Sequence, residues 1–423
     1  MSLLDKATII TTPTAHSNGT LHSIKGGSVA DFDVVRGSSA TRVNAEGLIE
    51  DVATNIPRID YTDSTASILL EPQSTNLITY SEDFSNAGWN QIGTSTLGAN
   101  AGTSPSGSVD AYSLIPETLN ERHVIRRSFT AASLSVTGSF FAKPNGYNHI
   151  SVSMIYSANS AGAGVVIDLT DGSTYASKIQ VGASFSVKVD DYADGWKRVS
   201  LSVTQSANAL NRFAFGAFDG GAVVWNAGLI CPIFAGNGTD GVLIYGAQVE
   251  ELTYATSYIP TSGAIATRLV DSVTGAGDAT TFNSIEGVLY AEINTLSQTG
   301  TFRQINLSNG TASSRIYISK RASNDNLEFR TENPLGGLIF AFAVDTTSDF
   351  VKVAFRYGVN NFAVFINGVN KNISPTGSVF PSGTLNDLQL SSSLNQNFFG
   401  KVKSVITFDT ALTDEELECL TTI

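Results

Sequence analysis

The sequence GAQVEELTYATSYIPTSGAIATR, residues 246–268, separates two series of short apolar runs in this chain. Ahead of it, DGVLIY at residues 240–245 is a β-branched, apolar run that predicts a last core strand. Pro260 confines the residue before it to extended backbone. The segment that follows, TSGA at residues 261–264, is small and polar, as is typical of a junction between domains. The stretch therefore predicts a domain boundary.

On either side of this boundary the composition favours β-structure. Only 15% of the 423 residues are charged, and short alternating runs are bounded by Gly, Asn, Asp and Ser, which is the pattern of strands joined by turns. We predict an all-β chain with two tandem jelly-roll β-sandwiches after an extended N-terminal docking region. The predicted domains are residues 1–76, 77–261 and 262–423. Residues 1–24 are polar and Thr-rich, and they predict an arm that orders only against a partner.

The net charge of the chain and its lack of long apolar runs restrict the classes of partner. A net charge of −13 without a basic stripe argues against nucleic acid, and an acidic surface suits calcium, which prefers oxygen ligands. We expect no signal peptide, because residues 1–6 have neither a basic end nor an apolar core, and no run of about 18 apolar residues predicts membrane insertion. We expect synthesis in a host cytoplasm. Cys231 and Cys419 are expected to be buried free thiols rather than a disulfide or a reactive thiol.

A cluster of basic residues in the N-terminal region has two interpretations. Arg36, Arg42 and Arg58 lie within a short, acidic stretch of sequence. They either form a polar docking surface for other proteins or make solvated salt bridges, which stabilise little. The carboxylates available for the second interpretation are Glu46, Glu50, Asp51 and Asp60.

Several motifs resemble those of known families. GAQVEELTYATSYIPTSGAIATR, STNLITYSEDFSNAGWN at 74–90 and DGWKRVS at 194–200 resemble signatures of a carbohydrate-binding-module-like jelly roll in tailed-bacteriophage virion proteins. RVNAEGLIEDVATNIPRIDY at 42–61, with LLEPQSTNL at 69–77, is similar to the N-terminal linker region of the same proteins. KVAFRYGVNNFAVFINGV at 352–369, then FFGKVKSVITFDTALTDEEL at 398–417, resembles the ending of a laminin-G-like, concanavalin A-like jelly roll. The resemblance implies a tail fibre, tailspike-like or capsid appendage located on the virion, with other virion proteins as partners and a homotrimeric state.

The sequence lacks motifs for catalysis. A glycosidase needs two carboxylates flanking the scissile bond, and Glu292 stands alone in its strand. No G-x-S-x-G motif is present to expose a nucleophilic serine. Four histidines, His16, His22, His123 and His149, leave a Ser/His/Asp triad open by composition. We predict a non-enzymatic protein that requires no cofactor.

Binding is therefore the favoured class. Sandwich modules hold sugars by stacking an aromatic ring on a pyranose, with amides and carboxylates nearby. In the C-terminal domain Asp325 and Asp387 are candidate calcium ligands, unless they are solvated turn residues. For each aromatic candidate taken singly, the alternative interpretation is a residue packed in the core or at a sheet edge, which is the commoner role. The predicted glycan-binding residues are Trp89, Tyr147, Tyr156, Trp225, Asn306 and Asn324.

These observations give three hypotheses. The first is an appendage that attaches to glycans of the host surface. The second is a decoration or adaptor protein that uses lectin-like folds for contacts between proteins. The third is a glycan depolymerase, which the missing carboxylate pair disfavours.

Overall fold

A computed structural model describes residues 2–17, 19–156, 158, 161–180, 182–207, 209–296, 303–321, 326–334, 337–346, 349–391 and 396–423. The chain divides into two compact units. Unit 1 comprises residues 1–39, 52–72 and 269–423, and unit 2 comprises residues 40–51 and 73–268. Unit 2 is therefore inserted, in two pieces, into the sequence of unit 1.

The secondary structure is almost entirely β. Short 3₁₀ turns occur at Leu3–Lys6, Ser28–Ala30 and Ala193–Gly195. The first strands are β1 Ala7–Ser17, β2 Thr20–Ser23, β3 Phe32–Val35, β4 Ala40–Val43, β5 Ile49–Val52, β6 Ile59–Asp60, β7 Ser67–Leu70 and β8 Ser74–Asn76. They are followed by β9 Trp89–Ile92, β10 Ser95–Thr103, β11 Val109–Pro116, β12 Asn120–Glu121, β13 Val124–Ser128, β14 Ser135–Asn145, β15 His149–Tyr156 and β16 Ala161–Asp168. Unit 2 ends with β17 Thr174–Ile179, β18 Ala183–Asp191, β19 Lys197–Gln205, β20 Arg212–Phe218, β21 Val224–Asn226, β22 Cys231–Ala235, β23 Gly241–Glu250 and β24 Ala266–Arg268.

The remaining elements return to unit 1. The strands are β25 Ser272–Thr274, β26 Glu286–Thr295, β27 Arg303–Ser308, β28 Arg315–Lys320, β29 Leu327–Glu332, β30 Leu338–Phe342, β31 Val351–Gly358, β32 Phe362–Ile366, β33 Val369–Ser374, β34 Asp387–Gln389 and β35 Gly400–Phe408. The α-helix α1 spans Asp414–Thr421. No helix among the described residues is long and apolar enough to cross a lipid bilayer.

Unit 1 is a sandwich of two sheets in its described residues. The larger sheet has the order β25-β3-β2-β1-β35-β26-β31-β32-β33, with β7 also pairing to β35 and β6 pairing to β7. The smaller sheet has the order β30-β29-β28-β27-β34. Their apolar faces meet in one core that includes Leu289 and Phe355 from the larger sheet and Ile305 and Phe329 from the smaller one. All-β sandwiches were predicted from the sequence, and the structure confirms this class.

The N-terminal residues are part of this sandwich, so the prediction of a separate arm is wrong. β1 pairs with β35 and with β2. Ile9, Leu21 and Phe32 are completely buried in the core of unit 1. The composition of residues 1–24 suggested a polar tail, but isoleucine and threonine are β-branched and favour strands. These strands find their partner at the other end of the chain, which local composition cannot show.

Unit 2 is a second sandwich, built on two six-stranded sheets. One sheet has the order β10-β11-β23-β14-β19-β18, and the other has the order β17-β16-β15-β20-β13-β9. Phe140 and Val199 from the first sheet pack against Val152 and Phe215 from the second. Smaller sheets pair β12-β22-β21, β24-β8 and β4-β5. The stretch 246–268 forms the end of β23 and all of β24, so it closes unit 2 by pairing with β8.

Two local motifs in the C-terminal series have the structure that their residue types favour. Asn367 and Gly368 have φ of 50° and 74° and join β32 to β33 as a two-residue hairpin turn, the geometry that positive φ at both positions produces. Thr413 caps α1: its side chain accepts a hydrogen bond from the Glu416 amide at 3.3 Å, and the Glu416 carboxylate accepts one from the Thr413 amide at 3.0 Å. This reciprocal pair is a capping box.

Four buried charges lie where the chain of unit 1 is interrupted. Arg36 Nη1 is 3.1 Å from Asp271 Oδ1, and Arg58 Nη1 is 2.7 Å from Glu71 Oε2. Arg58 also pairs with the second oxygen of Asp271. The side chains of these four residues are at most 4% exposed. Burial lowers the pKa of Arg58, but the charges of Asp271 and Glu71 outweigh burial and raise it above its ordinary value, so the guanidinium stays charged.

This network corrects the prediction of a docking surface at Arg36 and Arg58. Arg36 donates to the backbone oxygens of Ser38, Val52, Ala53 and Ile56 in addition to its contact with Asp271. A completely buried guanidinium with these partners cannot meet another protein. Arg42, in unit 2, is partly exposed and pairs with Glu50 at 2.6 Å, as the salt-bridge interpretation anticipated.

We predict that Asp271→Asn destabilises unit 1 by about 3–5 kcal/mol, because it leaves two buried guanidinium groups without their shared carboxylate. All three tryptophans, Trp89, Trp196 and Trp225, lie in unit 2. For Asp271→Asn, urea unfolding followed by far-UV circular dichroism should therefore show unit 1 unfolding at a lower urea concentration than in the wild type. Tryptophan fluorescence should not report this transition.

The matched control is Asp190→Asn. Asp190 pairs at 2.8 Å with Lys188, whose side chain is 75% exposed, so its loss should cost less than about 1 kcal/mol. Equal effects of the two substitutions would contradict a stabilising role for the network.

Candidate functional site

Two of the predicted aromatic residues lie in one cluster on unit 2. Phe218 and Phe234 form its buried floor, with ring centroids 5.3 Å apart in an edge-to-face arrangement. Tyr147 and Trp225 pack on this floor and are both partly exposed. The floor lies on the face of β15, β16 and β20 that points away from the core, since Ile150, Val165 and Phe215 of the same strands occupy the core side. We call Tyr147, His149, Tyr175, Phe218, Trp225 and Phe234 the aromatic patch.

Tyr175 and His149 extend the patch along the sheet. The rings of His149 and Tyr175 lie 4.6 Å apart, and Tyr175 is 6.3 Å from Phe218. Tyr175 is 45% exposed, and its hydroxyl donates to the Gly220 carbonyl at 2.7 Å. Gly220 has φ of 81°, and a side chain there would come within 2.9 Å of the His149 ring. The loop can therefore lie flat against the patch only with glycine at this position.

Hydrogen-bonding groups surround the rings. Tyr147 Oη accepts from the Asn237 amide at 3.1 Å, and Asn237 Nδ2 donates to Asp240 at 2.6 Å. Burial raises the pKa of Tyr147, and the nearby charges of Asp219 and Asp240 raise it further, against the lowering effect of the Asn237 hydrogen bond. The phenol therefore stays protonated and able to donate. His149 Nε2 lies 3.6 Å from Asp168.

A short apolar segment, residues 229–231, packs against Trp225. Trp225 lies on β21, opposite Pro232 of β22. Leu229, Ile230 and Cys231 pack between this tryptophan and the second six-stranded sheet. Cys231 is buried, and burial raises the pKa of its thiol to about 12. Both cysteines are free, as predicted, but Cys419 is exposed rather than buried.

The other predicted aromatics do not join the patch. Trp89 is 6% exposed, and its ring meets Phe84 and Phe215 edge-on while its Nε1 donates to the Tyr80 carbonyl at 2.8 Å. It is a core residue, so the prediction of a glycan contact there is wrong. Tyr156 ends β15, seven residues from His149, or about 23 Å along an extended strand. It packs on the core of unit 2. Trp196 is buried.

The predicted polar residues lie in unit 1. Asn306 lies within β27 and is only 2% exposed, so its side chain is not available at the surface. Asp387 lies across from Ser308, on the strand next to β27. Asn324 and Asp325 fall outside the described residues. No group of three or more His, Cys, Asp or Glu side chains in the described ranges could hold a metal ion, and calcium binding stays a prediction.

Sequence reasoning missed Tyr175 and His149 as members of the patch. Tyr175 follows the turn-forming residues TDGS at 170–173, but the run TYASKI at 174–179 has no regular alternation that would assign Tyr175 to a face of a sheet. His149 was considered only as a triad member. Their contribution depends on the pairing of β15 with β16 and of β16 with β17, a long-range arrangement.

A second cluster has the serine–histidine–aspartate contacts of a catalytic triad. Ser17 Oγ lies 2.6 Å from His22 Nε2, and His22 Nδ1 lies 2.8 Å from Asp31 Oδ2. The other Asp31 oxygen accepts from the Ser23 amide at 2.9 Å. β1, β2 and β3 are adjacent strands, and their register alone brings these side chains together. The His22 side chain is 42% exposed.

Comparisons with known proteins gave distant structural likenesses only. No family model and no curated protein matches the chain. A carbohydrate-binding module (CBM40) of the Ruminococcus gnavus IT-sialidase, solved with α2,3-sialyllactose, matches 35% of this chain and 93% of its own, at 18% identity and a TM-score of 0.29. Domain 4 of the Geobacillus stearothermophilus arabinanase AbnA, solved with arabinotriose, matches 40% of this chain and 82% of its own, at 15% identity and a TM-score of 0.31.

A third likeness is to the heptameric SAP-like pentraxin of Limulus polyphemus. It covers 31% of this chain and 68% of the pentraxin, at 11% identity and a TM-score of 0.26. Likenesses at this level leave the function of the chain to be argued from its own residues.

Proposed function

We propose that this chain is a non-enzymatic glycan-binding protein and that the aromatic patch of unit 2 is its binding surface. The observation that carries the proposal is the partly exposed trio of Tyr147, Tyr175 and Trp225 on a buried aromatic floor. Exposed aromatic rings leave apolar surface in contact with water, which is unfavourable. Covering the rings with the C–H face of a pyranose removes this surface from water and so favours binding.

The polar groups beside the rings can orient a bound sugar through hydrogen bonds. Asp168, Asp240 and Asn237 are positioned to accept or donate hydrogen bonds at the rim of the patch. Sugar hydroxyls accept hydrogen bonds from amides and donate them to carboxylates. The bonds to carboxylates are charge-assisted and are therefore the stronger ones. The rings therefore provide affinity, and the rim provides selectivity between sugars that differ in the orientation of a hydroxyl group.

The biological setting that we propose is an appendage of a phage virion. It rests on the resemblance of residues 74–90, 194–200 and 246–268 to phage virion proteins. In this setting the ligand is a host-surface glycan, other virion proteins are partners and the protein forms a homotrimer. Cryo-microscopy of the particle tests the setting: a projecting position agrees with attachment, and a position flush between capsomers or tail subunits agrees with a structural role.

Substitutions in the patch should separate ring stacking from hydrogen bonding. Trp225→Ala and Tyr175→Ala are each expected to weaken binding by about tenfold or more, since central aromatic residues carry most of the binding free energy at such surfaces. Tyr175→Phe keeps the ring and should bind nearly as the wild type does. The measurement is titration of the full chain on an array of bacterial capsular polysaccharides and lipopolysaccharides.

Tyr156→Ala is the control for this experiment, because Tyr156 lies at the far end of β15 and outside the patch. It should retain binding once circular dichroism confirms its fold. Wild-type protein that binds no polysaccharide on the array would refute the proposal, as would full binding by Trp225→Ala.

The Ser17–His22–Asp31 cluster offers the sharpest test of the non-enzymatic assignment. A serine nucleophile needs preorganised donors for the oxyanion and a backbone that presents its hydroxyl to substrate. Ser17 is instead an exposed residue at the end of a hairpin strand. We therefore expect no labelling of the chain by a fluorophosphonate probe. Labelling that disappears in Ser17→Ala, with hydrolysis of an acylated saccharide, would show an esterase instead.

A further inference from the structure

Arginines lie together on the outward face of the second six-stranded sheet of unit 2. Arg126 of β13 pairs with Ala214 of β20, and Arg212 lies two residues before Ala214, so the two arginines are diagonal neighbours on one face of the sheet. Diagonal neighbours are about 7–8 Å apart, within reach of long side chains. This face is the outward one, because Phe213 and Phe215, which alternate with these residues along β20, occupy the core.

Arg122 completes this group of three, which we call the arginine cluster. It precedes β13, and its positive charge acts on both Arg126 and the thiol of Cys231. Partial burial lowers the pKa of Arg126, and the charges of Arg212 and Arg122 lower it further. All three arginines are partly exposed, so a ligand can reach them from the solvent.

Within the described residues, the arginine cluster is not neutralised by carboxylates. None of its three members forms an ion pair in this part of the chain, whereas Arg42 of the same unit pairs with Glu50 at 2.6 Å. The whole chain carries 38 acidic and 25 basic residues, so three neighbouring cations reverse the sign of the electrostatic field locally. Like charges at this distance repel one another, and a bound anion offsets the repulsion.

The arginine cluster and the aromatic patch lie on the same face of the same sheet. Ala214, which is opposite Arg126, belongs to an apolar cluster on which Trp225 packs. Trp225 also packs on the floor of the patch, formed by Phe218 and Phe234. Ala214 and Phe218 are four residues apart on β20, or about 13 Å along the strand. An oligosaccharide of several sugars can therefore contact both the rings and the arginines.

The chemistry of the guanidinium groups defines what the arginine cluster binds. Arginine only donates hydrogen bonds, and its planar fork matches two oxygens of a carboxylate or phosphate at once. Asn90, opposite Arg126 on β9, is exposed and adds an amide beside the guanidinium groups. At the other end of the face, the carboxylates of Asp168 and Asp240 repel an anionic group. A glycan with an acidic group is thus held in one orientation, with that group at the arginines.

We propose that the arginine cluster is an anion subsite of the glycan-binding surface, and that the ligand is an acidic polysaccharide carrying a uronate carboxylate or a phosphate group. The inference rests on the proposed function of the aromatic patch and specifies the class of its ligand. Nucleic acid also carries phosphate, but a net charge of −13 repels a polymer that is charged at every residue.

The test is an array that carries each acidic polysaccharide in two forms. One form is native; in the other the carboxylates are reduced to alcohols or the phosphates are removed, which distinguishes the two sources of charge. The full-length wild type is expected to bind the acidic form about tenfold more tightly than the neutral form, since hydrogen bonds between charged groups are the strong ones. Raising sodium chloride from about 50 to 300 mM should narrow this preference, because salt screens partly exposed charges.

Arg126→Gln combined with Arg212→Gln is expected to remove the preference for the acidic form. Because the guanidinium groups repel one another, this variant should unfold at a urea concentration no lower than the wild type does, which separates loss of binding from loss of the fold. Arg42→Gln combined with Lys188→Gln is the matched control: it removes two positive charges of unit 2 that are paired with carboxylates, and it should keep the preference. Trp225→Ala, by contrast, should weaken binding of both forms.

Equal binding of the native and neutralised polysaccharides by the wild type overturns the anion subsite and leaves the aromatic patch in place as a proposal. A preference that survives in the double arginine variant, or that the control variant also loses, overturns the subsite as well. Single-stranded DNA that binds with the same dependence on Arg126 and Arg212 would overturn the assignment to a saccharide. Wild-type protein that binds no polysaccharide in either form refutes the proposed function itself, and this inference with it.

Discussion

The buried charge network of Arg36, Arg58, Glu71 and Asp271 is the constraint on which unit 1 depends. The chain passes between the two units after residues 39, 51, 72 and 268, and each member of the network lies within about seven residues of one of these points. Asp271 Oδ2 also accepts from the Glu71 amide at 2.9 Å, and the Asp271 amide donates to the Glu71 carbonyl at 3.1 Å. Three separate segments are thereby joined into one sandwich. Buried ion pairs are seldom retained for stability alone, and joining an interrupted fold gives these a specific structural role.

This organisation changes the meaning of the stretch at residues 246–268. It reads as a joint between consecutive domains, and it does end one unit. The unit that follows, however, is the continuation of the fold that the first 39 residues began. The terminal strands β1 and β35 are neighbours in one sheet. In unit 2, the outward face of the second six-stranded sheet carries the aromatic patch.

Local patterns in the sequence were sufficient for the fold class and for several details. The Asn367-Gly368 turn and the Thr413 capping box need only a few adjacent residues, and the alternation of the strand after Trp196 is enough to indicate that this side chain is buried. The failures involve partners distant in sequence. Arg36 and Asp271 are 235 positions apart, so nothing near Arg36 reveals that it is buried. Trp89 and Trp225 both lie beside turn-forming residues, and only the packing of Phe84 and Phe215 on one of them distinguishes core from surface.

The central proposal is that the chain binds saccharides on the aromatic patch of unit 2 rather than in a catalytic centre. The most direct measurement is the structure of the full chain in complex with an oligosaccharide that it selects from a polysaccharide array. The account predicts an intact sugar lying against Tyr147, Tyr175 and Trp225, with its hydroxyls directed to the Asp168 and Asp240 rim. A sugar cleaved or deacylated beside Ser17, or bound at a surface outside the aromatic patch, would contradict it.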